Sequence, residues 1–267
     1  MPDPNRQPMP DPITSPVNPA IARVRALLAR RDRRTQEGAF VAEGKRALAD
    51  AVAAGIAPSL VLLREGTRDA LPRDLPPTTP VRPVAAKLFD GLSEVAAPQG
   101  VLAVLPMPAL PIDEGATPLV LVIDRVRDPG NLGTLLRTAA GAGVTAVYLA
   151  PETVDPFNPK VVRAAMGAHF RVPLRHLDDT AMDELRRDLP MIAVSRADAA
   201  PTYDSIDWTG PAALLVGSEA EGVSPAVEAI ATEAIAIPLA GGVESLNAAA
   251  AGAVLLFEAA RQRRAVG

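Results

Sequence analysis

Three segments in the second half of the chain combine glycine with polar side chains directly after an apolar strand. The first runs from Asp124 to Ala139. It contains Asn131 and Arg137, which we expect within two turns of one helix, about 9 Å apart along its axis. Glycine lets a backbone approach a ligand closely, but Asn131 could equally be a plain N-cap and Arg137 a surface side chain. This segment alone leaves a functional and a structural interpretation comparably open.

The other two segments follow later apolar stretches. Residues 214–224 contain Gly-Ser-Glu ending at Glu219, which places amides and a carboxylate at the carboxyl edge of a sheet, where α/β proteins bind ligands. Residues 237–252 contain Ser245 and Asn247 ahead of a run of small residues that permits close helix packing. A surface turn with solvated acids, and a helix cap formed by Ser245 or Asn247, are the structural alternatives.

The elements that must position these segments predict a mostly parallel α/β sheet covered on both faces. Residues 119–123 form a continuous apolar run, as expected of a central parallel strand. The pattern predicts further strands at 146–149, 191–194, 213–216 and 234–237, and helices at 132–141, 159–166, 181–189, 225–230 and 245–262. We expect this second domain to span residues 118–267.

The first half of the chain predicts a smaller α/β domain over residues 17–105. A basic amphipathic helix begins at Asn18 and ends near Arg34. The pattern then predicts strands at 40–42, 60–63, near Val81 and at 101–105, and helices at 44–54 and 85–92. Residues 1–16 predict a disordered tail with no signal peptide, and the proline-rich residues 106–117 predict a stiff linker.

Composition excludes several classes of protein. Hydrophobic residues make up 48% and charged residues 22%, which is typical of a soluble globular protein. Because the chain has no cysteine, a disulfide framework, a thiolate zinc site and a cysteine nucleophile are excluded. With only two histidines, we expect no metal site. No apolar stretch is long enough to span a bilayer, so we expect a cytoplasmic protein without a membrane partner.

The charge distribution bears on a nucleic-acid partner. The net charge of −4 argues against one, but residues 14–105 hold 13 lysines and arginines against 9 acidic residues. Residues 118–267 hold 13 against 18. The candidate RNA-contacting residues are Arg23, Arg30, Arg31, Arg33, Arg34, Lys45 and Arg46. On charge alone, a solvated helix face explains this cluster about as well as an RNA-contacting face.

The content and order of the three segments resemble the signature motifs of the SpoU class of SPOUT RNA 2′-O-ribose methyltransferases. Asn-x5-Arg, Gly-x-Glu and Ser-Leu-Asn are jointly specific, and the resemblance covers residues 118–264. The first domain is similar, more weakly, to the ribosomal-protein-like substrate-binding domain of many rRNA members, through Phe40-Val41-Ala42-Glu43-Gly44. The resemblance therefore implies a small α/β RNA-binding domain followed by an α/β methyltransferase domain with a deep trefoil knot, an exception to the rule against knotted chains.

The resemblance also implies roles for single residues. S-adenosylmethionine would bind in the knot, with contacts from Gly217, Ile237, Leu239 and Leu246. Arg137 would accept the proton that the reacting ribose hydroxyl loses, while Asn131, Glu219, Ser245 and Asn247 arrange the substrate and its neighbours. Because an arginine side chain keeps its proton in proteins, Arg137 is a poor base. We expect it to bind the adjacent phosphate and orient the hydroxyl.

Substrate and partner expectations follow from the same resemblance. We expect a homodimer that acts on RNA, with 23S rRNA favoured because the first domain is basic. A tRNA 2′-O-methyltransferase and a non-catalytic RNA-binding or ribosome-assembly protein are the alternatives. A nucleotide-dependent oxidoreductase would need a Gly-x-Gly-x-x-Gly fingerprint, which is absent. The chain departs from the family pattern at Ala165 and Ala220, which leaves the substrate contacts less defined than the cofactor site.

Overall fold

The chain forms two compact units. The computed structural model describes residues 9–93, 95, 97–196, 201–218 and 220–266. Unit 1 comprises the chain up to Pro108 together with Phe157–Phe170, and unit 2 comprises Ala109–Pro156 and the chain from Arg171 onward. Residues 157–170 therefore pack with unit 1, whereas the sequence pattern assigns them to the second domain. The predicted domain boundaries stay a prediction.

The elements follow the alternating pattern that the sequence predicts. The helices are α1 (Pro19–Ala29), α2 (Arg31–Glu37), α3 (Lys45–Ala53), α4 (Ala86–Asp90), α5 (Pro129–Ala142), α6 (Pro159–Ala165), α7 (Asp179–Asp188), α8 (Pro225–Glu228) and α9 (Ala248–Val266). The strands are β1 (Ala39–Glu43), β2 (Leu60–Arg64), β3 (Val81–Val84), β4 (Val101–Pro106), β5 (Leu119–Ile123), β6 (Ala146–Leu149), β7 (Leu174–His176), β8 (Met191–Ser195), β9 (Ala212–Val216) and β10 (Glu233–Ile235). This confirms the α/β architecture.

Unit 1 is built on a mixed sheet in the order β1-β4-β2-β3, in which only β2 and β3 run parallel. Its central strands are buried on both faces, since α1 and α4 cover one face and α3 and α6 the other. Ile13, within the predicted tail, belongs to this core: its backbone N–H donates to Pro83 O at 2.8 Å and its carbonyl accepts from the N–H of Ala85 at 3.0 Å. The described part of the tail is therefore packed.

The single basic helix predicted up to Arg34 was wrong. Arg30 adopts an extended conformation and separates α1 from α2. The break leaves carbonyl groups at the end of α1 without helical partners. Arg34, only 3% exposed, turns back and donates from Nη1 to Leu27 O at 2.7 Å and to Leu28 O at 3.2 Å. This burial removes Arg34 from the set of residues that can contact RNA.

Unit 2 is built on a parallel sheet in the order β10-β8-β9-β5-β6-β7. The two central strands, β5 and β9, are buried throughout, which explains their unbroken apolar sequences. The sequence analysis missed β7, because its three residues carry an arginine and a histidine and show no apolar pattern. On one side of the sheet, α9 packs on α5. A Cβ added at Gly252 would lie 2.5 Å from Leu135 Cδ2, so glycine permits this close approach.

Among the helices that the structure describes, none is long and apolar enough to cross a membrane. Within the same residues, no group of three or more histidine or acidic side chains is arranged to hold a metal ion.

Arg263 fastens the end of α9 to the rest of unit 2. Its Nε donates to Trp208 O at 2.8 Å, and its Nη1 to Thr117 O at 2.8 Å. Its Nη2 donates to Pro118 O at 2.9 Å and also to Gly210 O. Burial lowers the pKa of Arg263 from its usual value. One guanidinium thus satisfies four backbone carbonyls from two separate stretches of chain.

Removing this guanidinium is expected to destabilise unit 2. Arg263→Ala leaves four carbonyls without their charged donor, so we expect the free energy of unfolding to fall by about 2 kcal/mol. Trp208 is the only tryptophan and is fully buried, so its fluorescence during urea unfolding reports on this unit. Arg264→Ala, at the exposed neighbouring position, is the control and should leave the transition unchanged. Equal free energies of unfolding for the two variants would contradict the stabilising role of Arg263.

Candidate active site

A cleft lies at the carboxyl edge of the unit 2 sheet, where the chain leaves β8, β9 and β10. Its volume is about 310 Å³. Parallel strands bring their carboxyl ends to one edge, which is why loops far apart in sequence meet there. Five residues predicted from the sequence line this cleft: Gly217, Ile237, Leu239, Ser245 and Leu246. Their roles stay a prediction, although the fold brings them together.

The loop after β9 folds tightly on itself. The N–H of Ser218 donates to Gly222 O at 3.1 Å, and the N–H of Gly222 donates to Ser218 O at 2.9 Å. A Cβ added at Gly217 would lie 2.1 Å from the carbonyl carbon of Gly222. Any side chain at position 217 would therefore open the loop, so this glycine is required by close backbone contact.

The residues directly after β5 hold this loop in place. Arg125 has a positive φ of 53°, and its Nη1 donates to Glu221 Oε2 at 2.9 Å. Asp124 is 2% exposed, and its carboxylate accepts a hydrogen bond from the N–H of Ser224. The sequence analysis did not assign Asp124 or Arg125 a role. Their position at the end of a buried strand was the available signal.

Asn131 is not the N-cap of α5. Asp128 is the cap, and its Oδ1 accepts from the N–H of Asn131 at 2.8 Å. Asn131 lies in the first turn, because α5 begins at Pro129, earlier than the sequence pattern predicts. Its side-chain amide is therefore available for a contact outside the helix: Asn131 Oδ1 accepts from Asn247 Nδ2 at 2.9 Å.

Asn247 has two functions in the structure. Its Oδ1 accepts from the N–H groups of Ala249 and Ala250 at 3.0 and 3.2 Å, so it caps α9 as one structural interpretation expects. The same amide donates to Asn131, as described above. Because Leu246 and Ala248 line the cleft, this bond joins the first and third sequence motifs beside it.

Arg137 lies further along α5 and is exposed. Within the described part of the chain, its guanidinium makes no hydrogen bond or ion pair, so it is a cation available to an anionic ligand. Glu219 lies outside the described residues, so its role stays a prediction. Sequence analysis also missed Ser195 and Arg196, which line the cleft at the carboxyl end of β8. Arg196 Nη1 donates to Glu228 Oε1 at 2.7 Å.

Two family models match the chain in succession. The model of the SpoU rRNA methylase family matches residues 118–257, and that of the MRM3-like substrate binding domain matches residues 18–103. The first match includes the cleft and all three motifs, and the second covers β1, β2, β3 and the start of β4 in unit 1. The residues that carry the resemblance in sequence thus lie within the matched regions.

Individual relatives agree with these family matches. The Bacillus subtilis 23S rRNA (guanosine(2553)-2'-O)-methyltransferase RlmP is 34% identical, over 84% of this chain and 89% of its own length. The mitochondrial rRNA methyltransferase 3 of Mus musculus is 33% identical, over 91% of this chain and 72% of its own length. The structure of the SpoU methyltransferase AviRb from Streptomyces viridochromogenes in complex with the cofactor AdoMet aligns with a TM-score of 0.81 at 30% identity, covering 93% of this chain and 100% of that one.

The close contact at Gly217 predicts the effect of adding one methyl group. We expect Gly217→Ala to raise the dissociation constant for S-adenosylmethionine at least roughly tenfold, because the overlap with Gly222 must displace the loop that lines the cleft. Isothermal titration calorimetry measures the constant. Gly210→Ala is the matched control, since a Cβ there meets nothing within 4 Å. Wild-type affinity in Gly217→Ala would show that the loop does not shape the binding site.

Proposed function

Because this chain belongs to the SpoU rRNA methylase family, we propose that it transfers a methyl group from S-adenosylmethionine to a ribose 2′-hydroxyl of 23S rRNA. The observation that carries this proposal is the hydrogen bond between Asn131 and Asn247. It joins two of the three motifs beside the cleft, and Arg137 projects from the same helix as Asn131.

The residues of the cleft suit S-adenosylmethionine. Apolar side chains such as Val216, Ile237 and Leu246 provide a slot for an adenine ring, and Gly217 lets the backbone approach it closely. When bound, the cofactor supplies an electrophilic methyl group on a sulfonium. We propose Gly217, Ile237, Leu239 and Leu246 as its contacts.

The remaining task of the protein is to position the ribose hydroxyl. Alignment of two reacting atoms supplies much of the acceleration in such a transfer. We propose that Arg137 binds the phosphate next to the target ribose and orients the hydroxyl, because its exposed guanidinium is not engaged by described residues. Asn131 and Asn247 hold the start of α5 against the start of α9, so they position the surface from which Arg137 acts.

Unit 1 provides the proposed RNA-binding surface. Its match to a substrate binding domain and its basic sequence support rRNA as the substrate. Arg30, Arg31, Lys45 and Arg46 are exposed and remain candidates. Arg23 and Arg33 are weaker candidates because both are only partly exposed and share the carboxylate of Glu37, at 2.8 and 3.2 Å. A ribosomal substrate also agrees with the cytoplasmic location that the sequence predicts, which stays a prediction.

Replacing Arg137 tests both the proposed methyl transfer and the proposed role of this side chain in it. We expect Arg137→Ala to lower methyl transfer from labelled S-adenosylmethionine to a 23S rRNA transcript by roughly 100-fold, with cofactor affinity unchanged, because only substrate positioning is lost. Sequencing sensitive to 2′-O-methylation maps the product. Arg186→Ala, an exposed arginine on α7, is the matched control.

Other outcomes of this assay would favour the alternatives. Labelling of tRNA and not rRNA would indicate a tRNA methyltransferase. Cofactor binding without transfer to any RNA would favour a non-catalytic RNA-binding protein. If Arg137→Lys keeps RNA affinity but loses turnover, with a pH profile that follows the new side chain, Arg137 takes the proton itself.

We also propose that the protein is a homodimer. Val254 and Phe257 on α9 are 38% and 47% exposed, and a Cβ added at Gly141 on α5 would lie 3.7 Å from the Phe257 ring. The tip of the ring therefore lies close to α5, while about half of the side chain is exposed. An apolar helix face next to α5 supports a contact between two copies, since exposed apolar patches mark interaction sites.

A charged side chain on the apolar face of α9 tests whether this face forms the dimer contact. We expect Phe257→Glu to convert the protein from a dimer to a monomer of 27.8 kDa in light scattering, because burial of an unpaired carboxylate is costly. Val266→Glu, at the exposed end of α9, should leave the mass unchanged. A wild-type protein that is monomeric and fully active would contradict the proposal.

The knot belongs to the same set of proposals. In unit 2, β9 lies between β5 and β8, and the loops after β9 and β10 meet the start of α9 at one cleft. Arg263, near the end of α9, donates to carbonyls directly before β5 and shortly before β9. We propose that the C-terminal part passes through an earlier loop to form a trefoil knot, as the family resemblance implies.

A further inference from the structure

A cavity of about 290 Å³ lies within unit 1, where β1 leads into α3. Part of its lining is apolar and comes from two helices and the residue after the second: Ala47 on α3, Val162 on α6, and Met166. None of these residues has a role in the proposed reaction. The cavity is wide enough for a flat ring but too small for a folded segment of chain.

The edge of this cavity is polar and carries balanced charges. The side chain of Glu43 is 9% exposed, and its carboxylate accepts from Ser93 Oγ and lies 3.9 Å from Arg163 Nη1. Asp50 lies 3.8 Å from Arg46 Nε across one turn of α3. Two carboxylates thus face two guanidinium groups. This edge suits a neutral ligand with hydrogen-bonding groups and disfavours a phosphate.

Two glycines bring the backbone against the polar groups of the cavity. Gly44 and Gly167 have φ angles of 104° and 82°. A Cβ at Gly44 would lie 3.0 Å from Gln99 Oε1, and one at Gly167 would lie 2.8 Å from Asp50 Oδ2. A side chain at either position would push these polar groups away, so the glycines preserve the arrangement of the edge.

Gln99 is held in a fixed orientation. Its Oε1 accepts from the N–H of Lys45 at 3.1 Å, which directs its amide nitrogen elsewhere. Among the described residues, this nitrogen has no hydrogen-bond acceptor. An oriented amide beside carboxylates offers a donor and several acceptors, and these groups recognise the edges of nucleobases.

We propose that this cavity binds one unpaired base of the substrate RNA, an inference that rests on the proposed function. Proteins that recognise RNA by sequence commonly place unpaired bases in pockets with apolar walls and hydrogen-bonding edges. An adjoining cleft of about 680 Å³ shares Gln99 and carries Lys45, together with Arg64 and its ion-pair partner Asp90. Lys45 is 47% exposed and lies 3.5 Å from the exposed Asp69, so a phosphate next to the bound base could compete for its ammonium group.

A variant that fills the cavity distinguishes the loss of a base contact from the loss of a phosphate contact. We expect Ala47→Leu to weaken binding of a 23S rRNA transcript roughly tenfold in filter binding, the effect of losing one base contact. The slope of log affinity against log salt should stay unchanged, because no phosphate contact is lost. Lys45→Ala, in contrast, should reduce that slope by about one.

Gln99→Met is a second variant, at an exposed position, and it tests base binding in the cavity if Ala47→Leu fails to fold. It should weaken RNA binding with the same unchanged slope. Ala22→Leu, at an exposed position on α1, is the matched control and should bind as the wild type does. RNA binding at wild-type strength in both cavity variants, or a slope reduced as in Lys45→Ala, overturns the inference.

The assay also separates this inference from the proposed function. Wild-type protein that methylates the transcript while the cavity variants bind RNA normally would refute only the base site. Wild-type protein that binds S-adenosylmethionine in calorimetry but binds no RNA would refute both.

Discussion

The parallel pairing of β5 with β9 determines where every residue of the candidate site lies. Their register, with Ile123 opposite Val216, ends both strands at the same edge of the sheet. Asp124 and Arg125 then meet the loop after β9, which has no room for a side chain at Gly217. The cleft forms at the edge where two buried strands end together, so its position depends on the central core.

Charge pairing shapes what unit 1 offers to RNA. Several of its basic residues form ion pairs: Glu37 pairs with Arg23 and Arg33, and Asp90 pairs with Arg64. Arg34 is buried and donates its hydrogen bonds to backbone carbonyls. A chain with net charge −4 therefore has a modest electrostatic attraction for RNA. Recognition of a base by shape and hydrogen bonds, as proposed for the cavity beside Gln99, would supply affinity that charge does not.

Much of the fold could be predicted because its central strands are buried on both faces. Residues 119–123 and 146–149 agree with the structure at both ends, since an unbroken apolar run has one stable environment in an α/β protein. Short edge strands such as β7 carry no such pattern. The break at Arg30 was not predicted either, because the helical spacing of apolar residues continues close to it. The break is stabilised by the buried guanidinium of Arg34, which donates to a carbonyl at the end of α1.

The sequence by itself determined the chemistry: which polar groups accompany glycine after which strands, and hence the family, the cofactor and the kind of reaction. Only the tertiary structure decided which of those groups meet. Asn131 and Asn247 are 116 positions apart, yet one hydrogen bond joins them. Local spacing cannot specify such a contact, because it depends on strand order and on how closely α9 approaches α5 at Gly252. The same holds for the unit 1 cavity, whose lining comes from segments that become neighbours only when the sheet has formed.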